Sequence, residues 1–284
     1  MKFLQSARRL AKRIGKGRLR FAARFEKQLF KFGLRSSVPA VLPDFLCIGA
    51  QKAGTTWLHE NLKMHPEIFL PARKELHYFD WQYSRPISFY AKNFEGVAGK
   101  VIGDVTPGYG VIPTDRIEFI RSVMPGVKLL MLLRNPVDRA WSHAVMGLAF
   151  SQGRQVHEIG TEDFIAHFAS QRSLALGMYT QLLARWETCF PRERFLVGFF
   201  EEISAAPRQL LTRVFEFLGV AANVDWNSFP VAQVIRPFDG AGMAAAEPAP
   251  EMPDACRKFL QDLYRDEIER LIARFGAPVR GWRC

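Results

Sequence analysis

The sequence has few cysteines and no long apolar run. Its four cysteines, Cys47, Cys189, Cys256 and Cys284, lack the paired spacing of a metal site, which predicts reduced thiols and no bound metal. No stretch of the 284 residues approaches the ~18–20 apolar residues that a membrane span needs. The first residues show neither the apolar centre nor the cleavage site of a secretory leader. Together these absences predict a cytoplasmic location.

Acidic residues are scarce in only one part of the chain. The first 40 residues contain 12 of the 39 basic residues but only one of the 28 acidic residues, Glu26. The remainder therefore has equal numbers of acids and bases, and the formal net charge of +11 belongs to this N-terminal arm. A neutral body predicts no nucleic-acid partner for the domain that follows.

Residues 1–40 are predicted to form a basic, amphipathic arm, and residues 41–284 a single domain. Apolar residues of the arm recur at four-residue steps, which is typical of one helical face, at Leu10, Ile14, Phe21, Phe25 and Leu29. Gly15 and Gly17 interrupt the pattern, so two short helices are predicted. Such helices favour an anionic membrane surface as a partner for residues 1–35, with the body peripheral on the inner face and the arm outside the functional site of that body. The alternative is that the aromatic residues pack on the body.

A glycine loop follows the arm. Phe45 to Ile48 are four apolar residues in a row, which indicates a short buried strand. Gly49 and Gly54 bracket a tight turn, and Thr55 opens a segment that is predicted to be helical. A strand, a glycine loop and a helix start form an anion cradle, because backbone N–H groups and the helix dipole point at one place.

The loop departs from the nucleotide-triphosphate loop, G-x-x-x-x-G-K-[ST]. Thr55 occupies the lysine position of that motif, and the lysine of this loop is Lys52. A nucleotide kinase of this fold also needs an aspartate for magnesium, for which Asp104 is the nearest candidate. A nucleotide kinase is therefore one of the alternative functions for this loop.

A second polar stretch runs from Lys74 to Asp80 among aromatic residues. Glu75 and His77 flank Leu76, so in an extended chain they point the same way. The pair is then placed to act on one substrate hydroxyl, with one group as base and the other orienting it. A solvated loop with no role in catalysis is the alternative.

A third stretch begins where the apolar strand Val127 to Leu133 ends. Arg134 stands at the carboxyl end of that strand, where open α/β sheets bind ligands, and its side chain suits phosphate. Pro136 begins a helix, and Ser142 lies two turns along it.

Short apolar strands alternate with helices along the body. This order predicts an α/β, three-layer P-loop-like fold with a central parallel sheet flanked by helices. One helix is predicted from Leu174 to Phe190, and a final helix from Pro253 to Phe275. Residues 220–250 are irregular and rich in Pro, Gly and Ala, which marks them as a candidate lid.

In their order and spacing, the three stretches resemble the sulfotransferases that use 3′-phosphoadenosine-5′-phosphosulfate (PAPS), most closely the heparan-sulfate-type and bacterial carbohydrate branch. The similarity covers about residues 44–220. It implies catalytic roles for Lys52, Glu75 and His77, with Glu75 as the base. It implies donor binding by Gln51, Lys52, Ala53, Gly54, Thr55, Thr56, Arg134 and Ser142. It also implies acceptor contacts at Asp80, Thr106 and Tyr109.

Two departures from that branch bear on the acceptor. The three-O-sulfating heparan enzymes have a lysine before the Thr-Pro that follows the second strand, and this chain has Val105 there. The neutral body also offers no strongly basic cleft, which argues against a highly anionic polysaccharide. The resemblance therefore implies transfer to a hydroxyl of a carbohydrate, glycoconjugate or glycolipid, over a small alcohol, phenol or lipid. A membrane-associated binding protein that has lost catalysis is the non-enzymatic alternative.

Overall fold

A computed structural model describes residues 17, 21–30, 32–34, 41–232 and 250–283. Its centre is a five-stranded sheet in which every pair of neighbours is parallel. The strands are β1 (Phe45–Gly49), β2 (Ile68–Phe69), β3 (Val101–Val105), β4 (Lys128–Leu133) and β5 (Phe195–Phe199). Their spatial order is β2-β3-β1-β4-β5, so β1 lies in the middle. The predicted central parallel sheet is confirmed.

The strands are buried because helices cover the sheet, and their sequences are correspondingly apolar. All of β1 and all of β4 except Lys128 are buried. Phe45 pairs with Gly103 of β3, and a Cβ atom at Gly103 would lie only 2.0 Å from the Phe45 ring. Glycine at this position therefore lets the large ring pack inside the sheet, which fixes the register of the two strands beside the site.

Helices connect successive strands and flank the sheet, as the alternating pattern predicted. In chain order they are α1 (residues 21–30), α2 (Thr55–Lys63), α3 (Ile87–Ala91), α4 (Thr114–Val123), α5 (Pro136–Ala144), α6 (Thr161–Ala169), α7 (Gln171–Gly177), α8 (Tyr179–Glu187), α9 (Phe200–Ala205), α10 (Pro207–Leu218) and α11 (Asp254–Phe275). No helix of the described ranges is long and apolar enough to cross a membrane.

The helix predicted from Leu174 to Phe190 is in fact two helices, and the prediction of one helix was wrong. The chain breaks at Met178, between α7 and α8. A Cβ atom at Gly177 would lie 2.4 Å from the Tyr264 hydroxyl of α11, so α7 ends in close contact with a distant helix. The local pattern could not reveal this contact, because Tyr264 is far away in sequence.

The helix after β4 continues beyond its last α-helical residue. A π-helical turn, Val145–Ala149, extends α5 and is followed by a 3-10 turn at Phe150–Gln152. Short π-helical turns inserted in helices are often found at functional sites, and this one directly contacts the glycine loop.

The described part of the arm packs on the body. Ala23, Lys27 and Phe30 lie on one face of α1 and are buried, and the Phe30 ring lies 6.2 Å from the Phe119 ring. Phe21 and Phe25 lie on the opposite face and are 73% and 57% exposed. The packing alternative therefore holds for one aromatic residue of α1 but not for the other two.

Two predictions fall partly on residues that the structure does not describe. The first of the two short helices predicted for the arm lies outside the described residues. In the candidate lid, residues 220–232 contain a 3-10 turn at Trp226–Ser228, whereas residues 233–249 lie outside the described ranges. The final helix, α11, has the predicted bounds to within one residue at its start.

Candidate active site

The glycine loop joins β1, the central strand, to α2. Lys52 and Gly54 both have positive φ angles, 69° and 87°, so the chain turns sharply between strand and helix. Gly54 is the residue before α2, and no side chain caps this helix start. The first N–H groups of a helix have no partner within the helix, so this end offers backbone donors to an anion.

Gly54 is fixed by its packing as well as by its φ angle. A Cβ atom there would lie 2.3 Å from Ile203 Cδ1 and 3.3 Å from the Phe200 ring, both in α9. The helix after β5 therefore packs directly on the loop. A side chain added at the second glycine of the loop would therefore collide with α9.

Arg134 follows β4 and reaches the same loop. Its Nη1 atom donates a hydrogen bond of 3.3 Å to the carbonyl of Lys52, and its guanidinium lies 4.4 Å from the centre of the Phe200 ring. The Tyr179 hydroxyl donates to the carbonyl of Arg134 at 3.1 Å. Ser142 lies two turns along α5 and is half-buried. Its predicted contact with the donor stays a prediction.

The loop region carries an excess of positive charge. Burial, and after it the charges of Arg134 and Lys74, lower the pKa of Lys52 to about 8, against a smaller effect of Glu75. Burial also lowers the pKa of Arg134. Cations held this close together form a site that an anionic group would stabilise.

Met146 belongs to the π-helical turn and contacts the loop lysine. Its Sδ atom lies 3.8 Å from the Lys52 Nζ atom. The turn therefore brings a side chain from the end of α5 to the glycine loop.

Glu75 and His77 come together as predicted, but through a different backbone conformation. Both have positive φ angles, 62° and 53°, so the chain is not extended here and that part of the prediction was wrong. The His77 Nε2 atom still lies 3.3 Å from Glu75 Oε2. The backbone N–H of Glu75 donates to the carbonyl of Val105 at 3.2 Å, which attaches this segment to the end of β3.

Lys52, Glu75 and His77 share an unusual property. Within the described ranges, they are the three residues other than glycine that have positive φ angles. This conformation costs ordinary residues roughly 1–3 kcal/mol and is found preferentially at functional sites. The three predicted catalytic residues are thus held in place by their surroundings and not by local preference.

The carboxylates of Glu75 and Asp80 enclose the His77 imidazole. His77 Nδ1 lies 2.7 Å from Asp80 Oδ2, and the Lys74 Nζ atom lies 2.7 Å from Glu75 Oε1. Burial favours neutral His77, but the hydrogen bonds and charges of Asp80 and Glu75 outweigh it and raise the pKa of His77 to about 9. Burial also opposes ionisation of Glu75, yet His77 and Lys74 lower the pKa of Glu75 to about 2. At neutral pH the centre is therefore an imidazolium between two carboxylates.

The polar stretch from Lys74 to Asp80 meets the glycine loop at Gly108. A Cβ atom at Gly108 would lie 2.8 Å from Asp80 Oδ2, 3.6 Å from His77 Cε1 and 3.7 Å from Gln51 Nε2. Residues from the ends of β1, β2 and β3 therefore converge on one point, as the parallel topology requires.

Thr106 and Tyr109 do not reach the surface of the site. Both are fully buried, and their hydroxyls donate to the Asp104 carboxylate at 2.7 and 2.9 Å. Tyr90 donates a third hydrogen bond to this carboxylate at 2.8 Å. Asp104 thus organises a buried network behind the site and is not exposed to hold magnesium, which weakens the kinase alternative.

Three neighbours of the site were not predicted from the sequence. Lys74 pairs with Glu75, Trp81 stacks on His77 with ring centres 3.6 Å apart, and Met146 contacts Lys52. Lys74 begins the polar stretch and Trp81 directly follows it, so the sequence could have indicated both as neighbours of the site. Nothing in the sequence indicated Met146. Within the described residues, no group of three or more His, Cys, Asp or Glu side chains is arranged to hold a metal ion.

Residues 42–230 match the family of the sulfotransferase domain. The chain belongs to this family. The match spans the glycine loop, the Glu75 segment and Arg134, and it extends from the start of β1 to the end of the described part of the candidate lid.

Relatives and a solved structure agree with this assignment. The chain is 27% identical over 259 residues to a human heparan sulfate glucosamine 3-O-sulfotransferase, and the match covers 84% of this chain and 73% of the relative. It is 27% identical to a mouse bifunctional heparan sulfate N-deacetylase/N-sulfotransferase over 271 residues, which cover 85% of this chain but only 31% of that protein. A crystal structure of a sulfotransferase from Alicyclobacillus acidocaldarius aligns with a TM-score of 0.67 at 26% identity, covering 86% of this chain and all of the other.

The predicted family and enzyme class are therefore confirmed. The protein is a PAPS-dependent sulfotransferase whose relatives include heparan-sulfate-type enzymes. Membership in this family also counts against the nucleotide kinase as the alternative enzyme.

Proposed function

We propose that this sulfotransferase moves a sulfuryl group from PAPS to a hydroxyl of a carbohydrate or glycolipid, with Glu75 as the general base. The observation that carries the proposal is the meeting of Gln51, His77 and Asp80 around Gly108. It joins the donor loop to an ionised carboxylate centre, and a sulfuryl transferase needs both at one place.

The residues around the loop fit the donor. The uncapped start of α2, formed by Thr55 and Thr56, offers N–H groups to the 5′-phosphosulfate, together with the backbone of Gln51, Ala53 and Gly54. Lys52 would neutralise the charge that develops on the departing phosphate. Arg134 and Ser142 would hold the 3′-phosphate, for which the planar guanidinium is suited. No metal ion takes part in the reaction in this scheme.

These residues account for every bond and proton that changes in the transfer. The acceptor oxygen forms a bond to sulfur, the bond between sulfur and the phosphate oxygen breaks, and adenosine 3′,5′-bisphosphate leaves. The hydroxyl proton goes to Glu75. His77 is protonated at neutral pH and cannot accept that proton, so it orients the carboxylate through the 3.3 Å contact.

The low pKa of Glu75 is compatible with this role. A carboxylate with a pKa of about 2 is a weak base, but it is fully ionised at neutral pH. The acceptor oxygen becomes strongly acidic as it bonds to sulfur, so a weak base suffices when the proton is transferred late. Loss of the Lys74 hydrogen bond when the acceptor enters would strengthen the base further.

A transfer assay with PAPS and a panel of neutral and acidic oligosaccharides tests the proposal. We expect a sulfated sugar and released adenosine 3′,5′-bisphosphate without added metal. Glu75→Gln should bind adenosine 3′,5′-bisphosphate as the wild type does but lose transfer by ~10²- to 10⁴-fold. His77→Ala should lose less, because its role is supporting.

Two results would overturn parts of the proposal separately. Transfer to a phenol or a lipid alcohol but to none of the sugars would replace the acceptor class. Normal turnover by Glu75→Gln would show that Glu75 is structural.

We also propose that the arm attaches the enzyme to an anionic membrane surface on the cytoplasmic side. The support is the exposure of Phe21 and Phe25 on a helix of a strongly basic segment. Exposed aromatic rings beside cationic residues are the pattern of helices that lie in the headgroup layer. The cytoplasmic side rests on the thiols, since Cys47, Cys189 and Cys256 are free.

A further inference from the structure

A cleft of about 610 Å³ lies between the arm and the body. Arg24, Lys27 and Gln28 of α1 form one wall of it, at positions that share one flank of the helix. Asp80 and Trp81 form the other wall, and α4 contributes Asp115 and Arg116. The N-terminal arm therefore shapes a cavity on the body, with charged and aromatic side chains in its walls.

The cleft and the reacting centre share Asp80. Asp80 lies on the cleft wall and bonds His77 at 2.7 Å, and His77 in turn lies 3.3 Å from the proposed base, Glu75. Arg116 fixes this wall, because its Nη1 atom donates to the carbonyls of Phe79 and Asp80 at 2.9 and 2.6 Å. A molecule in the cleft therefore lies beside the groups that act on the acceptor hydroxyl.

Trp81 offers an aromatic surface in the cleft. One face of its ring stacks on His77 at an interplanar angle of 8°, yet the residue is 65% exposed, so the other face is open to solvent. The apolar face of a sugar ring fits a flat aromatic ring whose edges remain wet.

The charges of the walls are not balanced. Arg24, Lys27 and Arg116 face the cleft with only Asp80 and Asp115 opposite, and Asp80 already partners the His77 imidazolium. Lys27 is buried, with its ammonium group bonded to the carbonyl of Arg85 at 2.7 Å. Arg24 is exposed at the cleft, so its guanidinium is the cation that a ligand reaches first.

We infer that this cleft binds the acceptor as a saccharide ring on Trp81 that carries an anionic substituent directed at Arg24. The arm thereby takes part in substrate selection, which the charge pattern alone did not predict. One anionic group per recognised unit is consistent with the neutral net charge of the body, which would not favour a dense polyanion. The inference deepens the proposed carbohydrate specificity and rests on it.

The test uses the full chain saturated with adenosine 3′,5′-bisphosphate. Calorimetric titration compares cellobiose with cellobiouronic acid, a matched pair that differs by one carboxylate. We expect the wild type to bind the acid about fivefold more tightly, the size of a partly exposed ion pair. Arg24→Gln should reduce this preference to less than about twofold, and Trp81→Ala should weaken binding of both sugars.

Arg192→Gln is the matched control, because Arg192 is exposed before β5, at the opposite edge of the sheet. It should keep the full preference, and Trp81→Phe should restore most of the affinity lost in Trp81→Ala. Equal affinities for the two sugars in the wild type, no binding of either, or an unchanged preference in Arg24→Gln would overturn the inference. Failure to bind adenosine 3′,5′-bisphosphate in the same samples would instead overturn the proposed function.

Discussion

The Nε2 atom of His77 lies 3.3 Å from Oε2 of Glu75, although both residues have positive φ angles. Contacts beyond the pair hold each of the two side chains. Glu75 bonds the end of β3 through its N–H, and His77 lies between Asp80 and the Trp81 ring. The strain of the backbone is thus offset by an ion pair that keeps both groups charged.

Stability should depend on pH through His77. Its pKa rises from an ordinary 6.5 to about 9 in the folded state, so its contribution is complete below pH 6.5 and is lost as pH rises through 9. The pKa of Glu75 falls from 4.5 to about 2, so its contribution is complete above pH 4.5 and is lost as pH falls through 2. The pair should therefore stabilise the fold most between pH 4.5 and 6.5.

Melting temperatures of the wild type and His77→Gln between pH 5 and 10 check this prediction. The difference between them should be largest at the acidic end and should shrink as pH rises through about 9. His157→Gln is the control, because His157 is exposed in a surface turn, and its difference from the wild type should not vary with pH in this way. A His77 difference that grows with pH would contradict the assignment of charge.

Arg134→Ala should weaken binding of adenosine 3′,5′-bisphosphate. Charge-assisted hydrogen bonds contribute ~1.5–3 kcal/mol, which corresponds to a loss of about 10- to 100-fold in affinity. Arg134→Lys should recover only part of the loss, because lysine lacks the planar fork. Fluorescence or calorimetric titration measures the effect, with Arg265→Ala, on the exposed side of α11, as control. Full affinity in Arg134→Ala would remove this residue from the donor site.

Much of the site was readable because it follows the ends of strands. Lys52, Glu75 and Arg134 lie after β1, β2 and β4, and a parallel sheet brings those ends to one edge. Thr106 follows β3 in the same way, yet it turns inward to the Asp104 carboxylate. Position after a strand predicts which edge a residue lies at. It does not predict whether the side chain faces the ligand or a buried partner.

The fold was readable where burial alone determined the element. The apolar runs of β1 and β4 were predicted to within a residue, because strands covered on both faces leave that pattern. The break between α7 and α8 was missed; beside it Gly177 packs on the Tyr264 side chain of α11, which is far away in sequence. The positive φ angles of Glu75 and His77 were missed because residues other than glycine rarely adopt them.

Gly54→Ala should destabilise the fold more than alanine at an open glycine. A positive φ costs an alanine roughly 1–2 kcal/mol, and the added Cβ would also lie 2.3 Å from Ile203 Cδ1. Gly153→Ala is the matched control, with φ 66° and no atom within 4 Å of the added Cβ. Chemical denaturation of the two variants measures the difference.

The contact itself can be isolated with Ile203→Val, which removes the clashing Cδ1 atom. In Gly54→Ala/Ile203→Val the loss of stability should be smaller than the sum of the two single losses. The same substitution combined with Gly153→Ala should be additive. Additivity in both pairs would mean that α9 does not constrain the loop.

Phe21→Ser/Phe25→Ser should release the enzyme from anionic membranes without unfolding it. Both rings are exposed, whereas the buried residues Ala23, Lys27 and Phe30 that attach α1 to the body are kept. Burial of a phenylalanine side chain contributes ~1.5–3 kcal/mol when complete, so loss of two partly inserted rings should lower partitioning by about tenfold or more. Co-sedimentation with phosphatidylglycerol and phosphatidylcholine vesicles measures it.

Salt and a control variant separate this membrane contact from simple adhesion. Basic residues near an anionic surface contribute about 1 kcal/mol each and act within a Debye length, so wild-type pelleting should fall as salt rises and should need the anionic lipid. Met64→Ser, which removes an exposed apolar side chain at the end of α2, should pellet like the wild type. Equal pelleting of the double variant and the wild type would show that α1 does not face the membrane. In that case the exposed aromatic residues of α1 would need another partner.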